Sequence, residues 1–509
     1  MKRSILCLAL ALMLVLATAS FNLGIADETL PYLEITWSGH ADTTPPAEDG
    51  TWFQKYLEEK WNVKIIPLEI SYSEQEAWDL YFAAGNTADY ISQPGARYQM
   101  LIDQALVRPI SFDLLYTYAP VWMEKTIEMV GSKEMTETML TYDDGEVYAM
   151  PYIAYTAAFP FSSYIRTDWL DKLGLSIPTT LDELHDVAAA FAKNDPDGNG
   201  AADTLGISGA NGGFHYIFGA YGIMRNTYNL QDDGSVVYTS VTEPYKNALK
   251  TLAAWYAEGL IDPESFTDSR TILREKWSAG RIGIMDDNAW WGEASRGANS
   301  VFNMLYNVNP DAKVSIYAAV TGADGLSGAS WGFPTITGQA CVLFGADVSD
   351  EKLIRIMQIK ESFAADIEQY TFGRYGQEGV TYDIDENGTL IMKPEWSFEQ
   401  QRSLGVGQFY ATQPQSVKDA NLILTPADIA TNEIAISSNK IYSGRNFFAP
   451  KVNQSIDTYG SDVSTINNEY FANAVMGKID IDATWDAYVA QMRAAGLDKI
   501  IAEYEDMLK

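Results

Sequence analysis

Three stretches early in the chain leave few folds open. Leu33, Ile35 and Trp37 are apolar at every second position, the period of a strand. Trp52, Phe53, Tyr56 and Leu57 fall at i, i+1, i+4 and i+5, one face of a helix running to about Trp61, and Val63 to Ile70 returns as a β-rich run. A strand, helix, strand succession predicts a parallel sheet with helices on its faces. Length extends the argument: 509 residues exceed one ordinary core, since domains run to about 100–200 residues, so two or three domains are expected.

Two further helices are legible. Thr180-Leu181-Asp182-Glu183 is a capping box opening a helix whose buried stripe is Leu181, Leu184, Val187, Ala188 and Phe191. Ala483 to Ala495 is amphipathic, with Trp485, Tyr488, Val489 and Met492 inward and Gly496 as its cap. No internal repeat or low-complexity tract marks a seam between domains, which fits lobes joined by short crossovers.

The first residues are not part of this pattern. Lys2 and Arg3 precede a nearly unbroken apolar run from Ile5 to Ala17, followed by Ala17-Thr18-Ala19 as a small-x-small cleavage site. That is the layout of an export signal, expected to span 1–26 with cleavage between 19 and 26. Of the two cysteines, Cys7 leaves with it. Cys341, in an apolar run, is read as a buried, inert thiol, so no internal disulfide is available. The formal net charge of −33 repels nucleic acid and anionic membranes and excludes a nucleic-acid partner, but says nothing specific about a ligand.

Several motifs, spread in order over the mature chain, resemble the extracellular solute-binding proteins of the carbohydrate-import class, especially their large lipoprotein-like branch. They are Ile165-Arg166-Thr167-Asp168-Trp169-Leu170-Asp171-Lys172-Leu173-Gly174 with Ile177-Pro178-Thr179, then Tyr256-Ala257-Glu258-Gly259-Leu260-Ile261-Asp262-Pro263, then Gly376-Gln377-Glu378-Gly379-Val380-Thr381-Tyr382, and finally Trp485-Asp486-Ala487-Tyr488 with Gly496-Leu497-Asp498. The resemblance implies an α/β, two-lobed periplasmic-binding-protein-like fold (type II), with a ligand cleft between lobes and hinge crossovers. Lobe 1 would hold 27–155 plus about 315–410, and lobe 2 about 156–314 plus 411–509. It also implies a monomer outside the cytoplasm that passes an oligosaccharide to the permease of an ABC transporter. Relatives of this branch often carry a lipid-modified cysteine just after the signal. Here none follows the cleavage region, so the protein is expected to be periplasmic, released or held by its partner.

The sharpest local motif is Asp195-Pro196-Asp197-Gly198-Asn199-Gly200-Ala201-Ala202-Asp203-Thr204. Oxygen side chains at loop positions 1, 3, 5 and 9, glycine at 6 and the Ala201 carbonyl at 7 match the first part of a calcium-binding EF-hand loop. Position 12 is Gly206, not the usual glutamate, and Thr204 at position 10 is the candidate to complete the set, as it is in relatives. Structural Ca2+ is the expected cofactor; the competing reading is a polar turn after the helix ending at Lys193.

The 13 tryptophans and 30 tyrosines supply faces on which sugar rings stack. Candidates sit where strands end in loops, the usual ligand position in open α/β sheets. Asn288, Trp290 and Trp291 follow the strand Arg281 to Met285, and Trp290 matches the stacking tryptophan of sugar-binding relatives. Trp37 and His40 end the first strand; Trp331 follows a glycine-rich stretch; Asp89 precedes a strand. Asn211, His215 and Tyr221 lie in a glycine-rich region after Ile207. Packing in a core or closing a loop is the competing role for each.

Catalysis finds little support. Gly328-Ala329-Ser330-Trp331-Gly332 fits a nucleophile elbow, but that fold places its histidine later in the chain, whereas His40, His185 and His215 all precede it. An exported glycoside hydrolase needs only two carboxylates and remains the rival reading. A surface adhesin ranks below it.

Overall fold

The computed structural model describes residues 30–39, 49–70, 74–92, 97–142, 144–152, 161–210, 213–231, 233–293, 300–328, 341–393, 396, 398–414, 420, 422–438, 445–446 and 453–507. The export signal, His40, Asn211 and Trp331 lie outside them.

The alternating residues at the start form β1 (Leu33–Ser38), with Ile35 and Trp37 wholly buried. The helix Trp52–Trp61 buries Phe53 and Leu57 and ends at Asn62 in the left-handed conformation, φ 49°. β2 (Val63–Pro67) returns parallel to β1. It stops short of the expected Ile70 at Pro67, tolerable because β2 is the sheet's edge. β3 (Tyr90–Ser92) pairs parallel on the other side of β1. β4 (Met150–Pro151) and the late strand β11 (Cys341–Phe344) complete a five-stranded sheet in the order β2-β1-β3-β11-β4, with β11 antiparallel to both neighbours. Cys341 is buried in this core, and burial drives its thiol far above the ordinary range.

A second sheet has the order β10-β5-β9-β6, from β5 (Phe161–Arg166), β6 (Leu205–Gly209), β9 (Ile282–Asn288) and β10 (Val314–Ile316). β6 and β9 are parallel, whereas β5 runs against β9 and β10. Three smaller strands, β7 (Tyr228–Leu230), β8 (Val236–Tyr238) and β14 (Arg445–Asn446), form an antiparallel ribbon. β12 (Tyr382–Ile384) and β13 (Leu390–Met392) form a hairpin. The capping box at Thr180 and Glu183 opens the helix Leu181–Lys193, which buries Leu184, Val187, Ala188 and Phe191. The helix Ile481–Ala494 buries Trp485, Tyr488 and Met492, with Val489 at its flank.

The buried apolar residues divide by sheet. One core joins 35–152 to 341–411. Others join 164–320 to 420–500. The chain thus passes between the two bodies three times: after Tyr152, between Gly328 and Cys341, and after Pro414. The second passage falls later than the expected 315, because β10 still pairs with β5 and Tyr317 and Val320 still pack in the second body.

Candidate functional site

All three passages leave from one edge of each sheet. In the first sheet β1, β3 and β4 end at this edge and β11 begins there, since Cys341 is opposite Pro151. In the second, Phe161 at the start of β5 is opposite Asn288 at the end of β9, and Gly209 at the end of β6 is opposite Asp286. Two edges of strand termini, tied by three passages, make the crevice where open α/β sheets bind ligands.

The second edge carries most of the chemistry. β9 extends to Asn288 rather than stopping at Met285, and all seven of its residues are buried. The extension lets two acidic residues enter the interior because each finds a partner. Asp286 accepts from the backbone N–H of His215 at 2.8 Å and lies 2.7 Å from its ring Nδ1. A carboxylate acceptor places a ring hydrogen on Nδ1. The ring of Phe161 stacks on that imidazole, centroids 3.9 Å apart and nearly parallel. Phe214, just before it, holds φ +46°, a strained conformation for an aromatic residue and one that concentrates at binding sites. Asp287 accepts from Arg274 Nε at 2.8 Å and pairs with Arg270 at 3.1 Å. Burial raises its pKa, against the pull of the two guanidinium groups. Asp286 and Asp287 are therefore committed to partners.

Asn288 ends the strand wholly buried, its carbonyl accepting from Tyr164 at 2.5 Å. Its side-chain amide nitrogen has no hydrogen-bond partner among the described residues. Trp290 and Trp291 follow at once on a short 3-10 turn, Ala289–Gly292, both half-buried. The Arg274 guanidinium lies 4.1 Å over the Trp291 ring and fixes its plane.

The first edge offers a matching orphan. Gln413, next to the third passage, is buried with its oxygen accepting from Lys125 at 3.1 Å and its amide nitrogen unpartnered among the described residues. A buried donor left unmade costs about 1–3 kcal/mol. Asn288 and Gln413 thus place one unpartnered amide donor on each edge among the described residues. The segment before Gln413 is anchored by Lys360, whose amino group is buried and donates to the Tyr410 carbonyl at 3.0 Å and Thr412 Oγ1 at 2.6 Å. The rings of Trp37, Tyr90, Trp122 and Phe363 all lie within 6 Å of it.

Three candidates take other roles. Trp37 is fully buried, stacked on Tyr90 at 3.9 Å, with its indole N–H donating to the Phe409 carbonyl at 3.0 Å, and so is core rather than ligand surface. Asp89 accepts from the Thr36 N–H and hydroxyl at 2.8 and 2.9 Å and pairs with Lys352, bracing β1. Tyr221 shares a 2.5 Å hydrogen bond with Thr251, against the second core.

The loop at 195–204 converges its oxygens. Asp195 Oδ1 accepts from the N–H groups of Gly198 and Asn199, and its Oδ2 from Gly200. The Asn199 amide bridges Asp197 and Asp203 at 2.8 and 3.1 Å. Burial and the neighbouring Asp195 and Asp203 raise the Asp197 pKa. Asp195, Asp197, Asn199, Asp203 and the Ala201 carbonyl fit a calcium ion. Thr204 does not complete the set as expected: it is buried and its hydroxyl donates to the Phe191 carbonyl at 2.8 Å. Gly206 already lies in β6, where a Cβ would meet the Ala188 carbonyl at 2.4 Å, so position 12 has no room for a glutamate. A second carboxylate group, Asp262, Glu264 and Asp268, is close enough to hold a metal. The Lys276 ammonium sits among them at 2.6–2.9 Å, supplying the positive charge itself.

Sequence reasoning missed Phe161, Arg274 and Gln413. Only Arg270 and Arg274 left a trace, two cations four residues apart on one helix face just before an Asp-Asp strand end.

The domain of unknown function DUF3502 matches residues 452–508. The fructooligosaccharide ABC transporter substrate-binding protein FusA of Streptococcus pneumoniae is 31% identical over 265 residues, which are 49% of this chain and 48% of that one. The chain thus aligns with about half of FusA's length. The polygalacturonan/rhamnogalacturonan-binding protein YtcQ of Bacillus subtilis is 25% identical over 356 residues, 68% of this chain and 67% of that one. A solved extracellular solute-binding protein from Bifidobacterium longum subsp. infantis superposes with TM-score 0.71 at 17% identity, covering 95% of this chain and 99% of that one. At that identity the superposition establishes the fold.

Proposed function

We propose that the chain is an extracellular solute-binding protein of an ABC transporter, which captures an oligosaccharide between its two bodies and presents it to a membrane permease. The observation that carries the reading is the pair of buried, unpartnered amides, Asn288 and Gln413, on facing edges, beside the exposed parts of Trp290 and Trp291. Sugar rings offer apolar C–H faces to indoles and hydroxyl oxygens to amide donors. FusA and YtcQ, each named for a glycan, support that ligand class.

Ligand that touches Asn288 on one edge and Gln413 on the other gains contacts only when the edges approach, so binding shifts the population toward the closed form. His215, held by Asp286 and Phe161, offers Nε2 to a sugar hydroxyl. Calcium at Asp195, Asp197, Asn199, Asp203 and the Ala201 carbonyl would stiffen the loop that feeds β6, whose far end reaches this edge. Its role is structural. Hydrolysis is disfavoured because Asp286 and Asp287 are spent on His215 and on the two arginines.

The test is tryptophan fluorescence titration with oligosaccharides, followed by chromatography of the ligand. Saturable quenching with intact sugar recovered is expected; cleaved sugar would overturn the reading in favour of a hydrolase.

A further inference from the structure

Most cations of the described core and crevice have an evident partner. Arg166 is paired with Asp168, Arg270 and Arg274 with Asp287, and Lys276 with three carboxylates. Arg374 differs. It lies in the last turn of the helix Ile367–Tyr375, half-buried, with no carboxylate partner among the described residues. Its guanidinium sits 5.2 Å over the ring of Tyr375, and its other electrostatic neighbours are Tyr370 and Tyr152.

The position matters as much as the missing partner. Tyr152 is the last described residue before the first passage. Gly373, adjacent to Arg374, packs against Phe53 and Ala411, and its carbonyl accepts from Gly407 at 2.9 Å. Arg374 therefore stands at the ligand edge of the first sheet, between the first and third passages. In a chain of net charge −33 a carboxylate would be easy to supply; instead three tyrosines surround the fork. A half-desolvated guanidinium without an anion is costly, and its planar donors match a carboxylate two at a time.

We infer that Arg374 is a binding residue for a carboxylate on the ligand, so that the oligosaccharide contains acidic sugar units. This deepens the oligosaccharide reading and rests on it.

The experiment compares an oligogalacturonate with its methyl ester, the same sugar with its charge removed, by calorimetric titration of the native protein and of R374Q. The native protein should bind the free acid at least about tenfold more tightly than the ester, the scale of one charge-assisted pair. R374Q should bring the two within about twofold while melting near the native temperature. R374K, which keeps the charge and loses the fork, should retain part of the preference. Because the first comparison uses native protein, a variant that fails to fold does not blunt the test. Equal affinities, or a preference for the ester, would overturn the inference and leave the oligosaccharide reading intact, as would an acid preference that survives in R374Q. Failure to bind either form, with a neutral fructan or mannan bound instead, would also overturn it. Failure of every sugar would remove both readings.

Discussion

Arg274 does two things with one side chain: it neutralises the buried Asp287 and lies flat over Trp291. The indole is thereby fixed before a ligand arrives, and less side-chain freedom is lost on binding. Trp291→Ala should weaken oligosaccharide binding about tenfold or more while changing the melting temperature little, since the ring is half-exposed; calorimetry with a parallel thermal melt checks both. Lys360 makes a different prediction. Burial lowers its pKa well below 10.5. Between that lowered value and 10.5 the unfolded chain holds a proton that the native state does not, so stability rises with pH across this window. The slope approaches about 1.4 kcal/mol per pH unit. Lys360→Met should remove it, which urea melts at a series of pH values below 10.5 will show by comparison with native protein.

At the scale of elements, period and capping carried far. The strand, helix, strand start and the capped helices at 181–193 and 481–494 all form where alternation and caps place them. The end of β9 was not legible, because Asp286, Asp287 and Asn288 read as a turn until their distant partners His215, Arg270 and Arg274 are brought beside them. Trp37 misled for the converse reason: its strand position was right, but the sheet wraps Tyr90 and the Phe409 carbonyl around it. Arg374 carries no local signal, since its meaning lies in which charges are missing around it. The 195–204 loop was readable because its candidate oxygens are contiguous, whereas the Thr204 hydroxyl is drawn to the helix carbonyl of Phe191. Added calcium should raise the melting temperature of the native protein, and Asp195→Ala should abolish that rise, as a ligand bound only to the folded state requires.

On the scale of the whole molecule, the function lies in the relation of two cores joined by three passages. Each sheet has its own buried core, and the passages between them leave from strand ends. Such an arrangement lets the bodies rotate about the passages without disturbing either core. The surface charge of −33 acts over no more than about 8 Å at physiological ionic strength, so recognition falls to the crevice residues rather than to long-range steering.

The most direct test of the whole account is small-angle X-ray scattering of calcium-loaded protein with and without a saturating oligosaccharide, with the sugar recovered and analysed afterwards. The account predicts a smaller radius of gyration with ligand and sugar recovered intact. An unchanged radius at saturation would contradict closure, and shortened sugar would contradict the binding function itself.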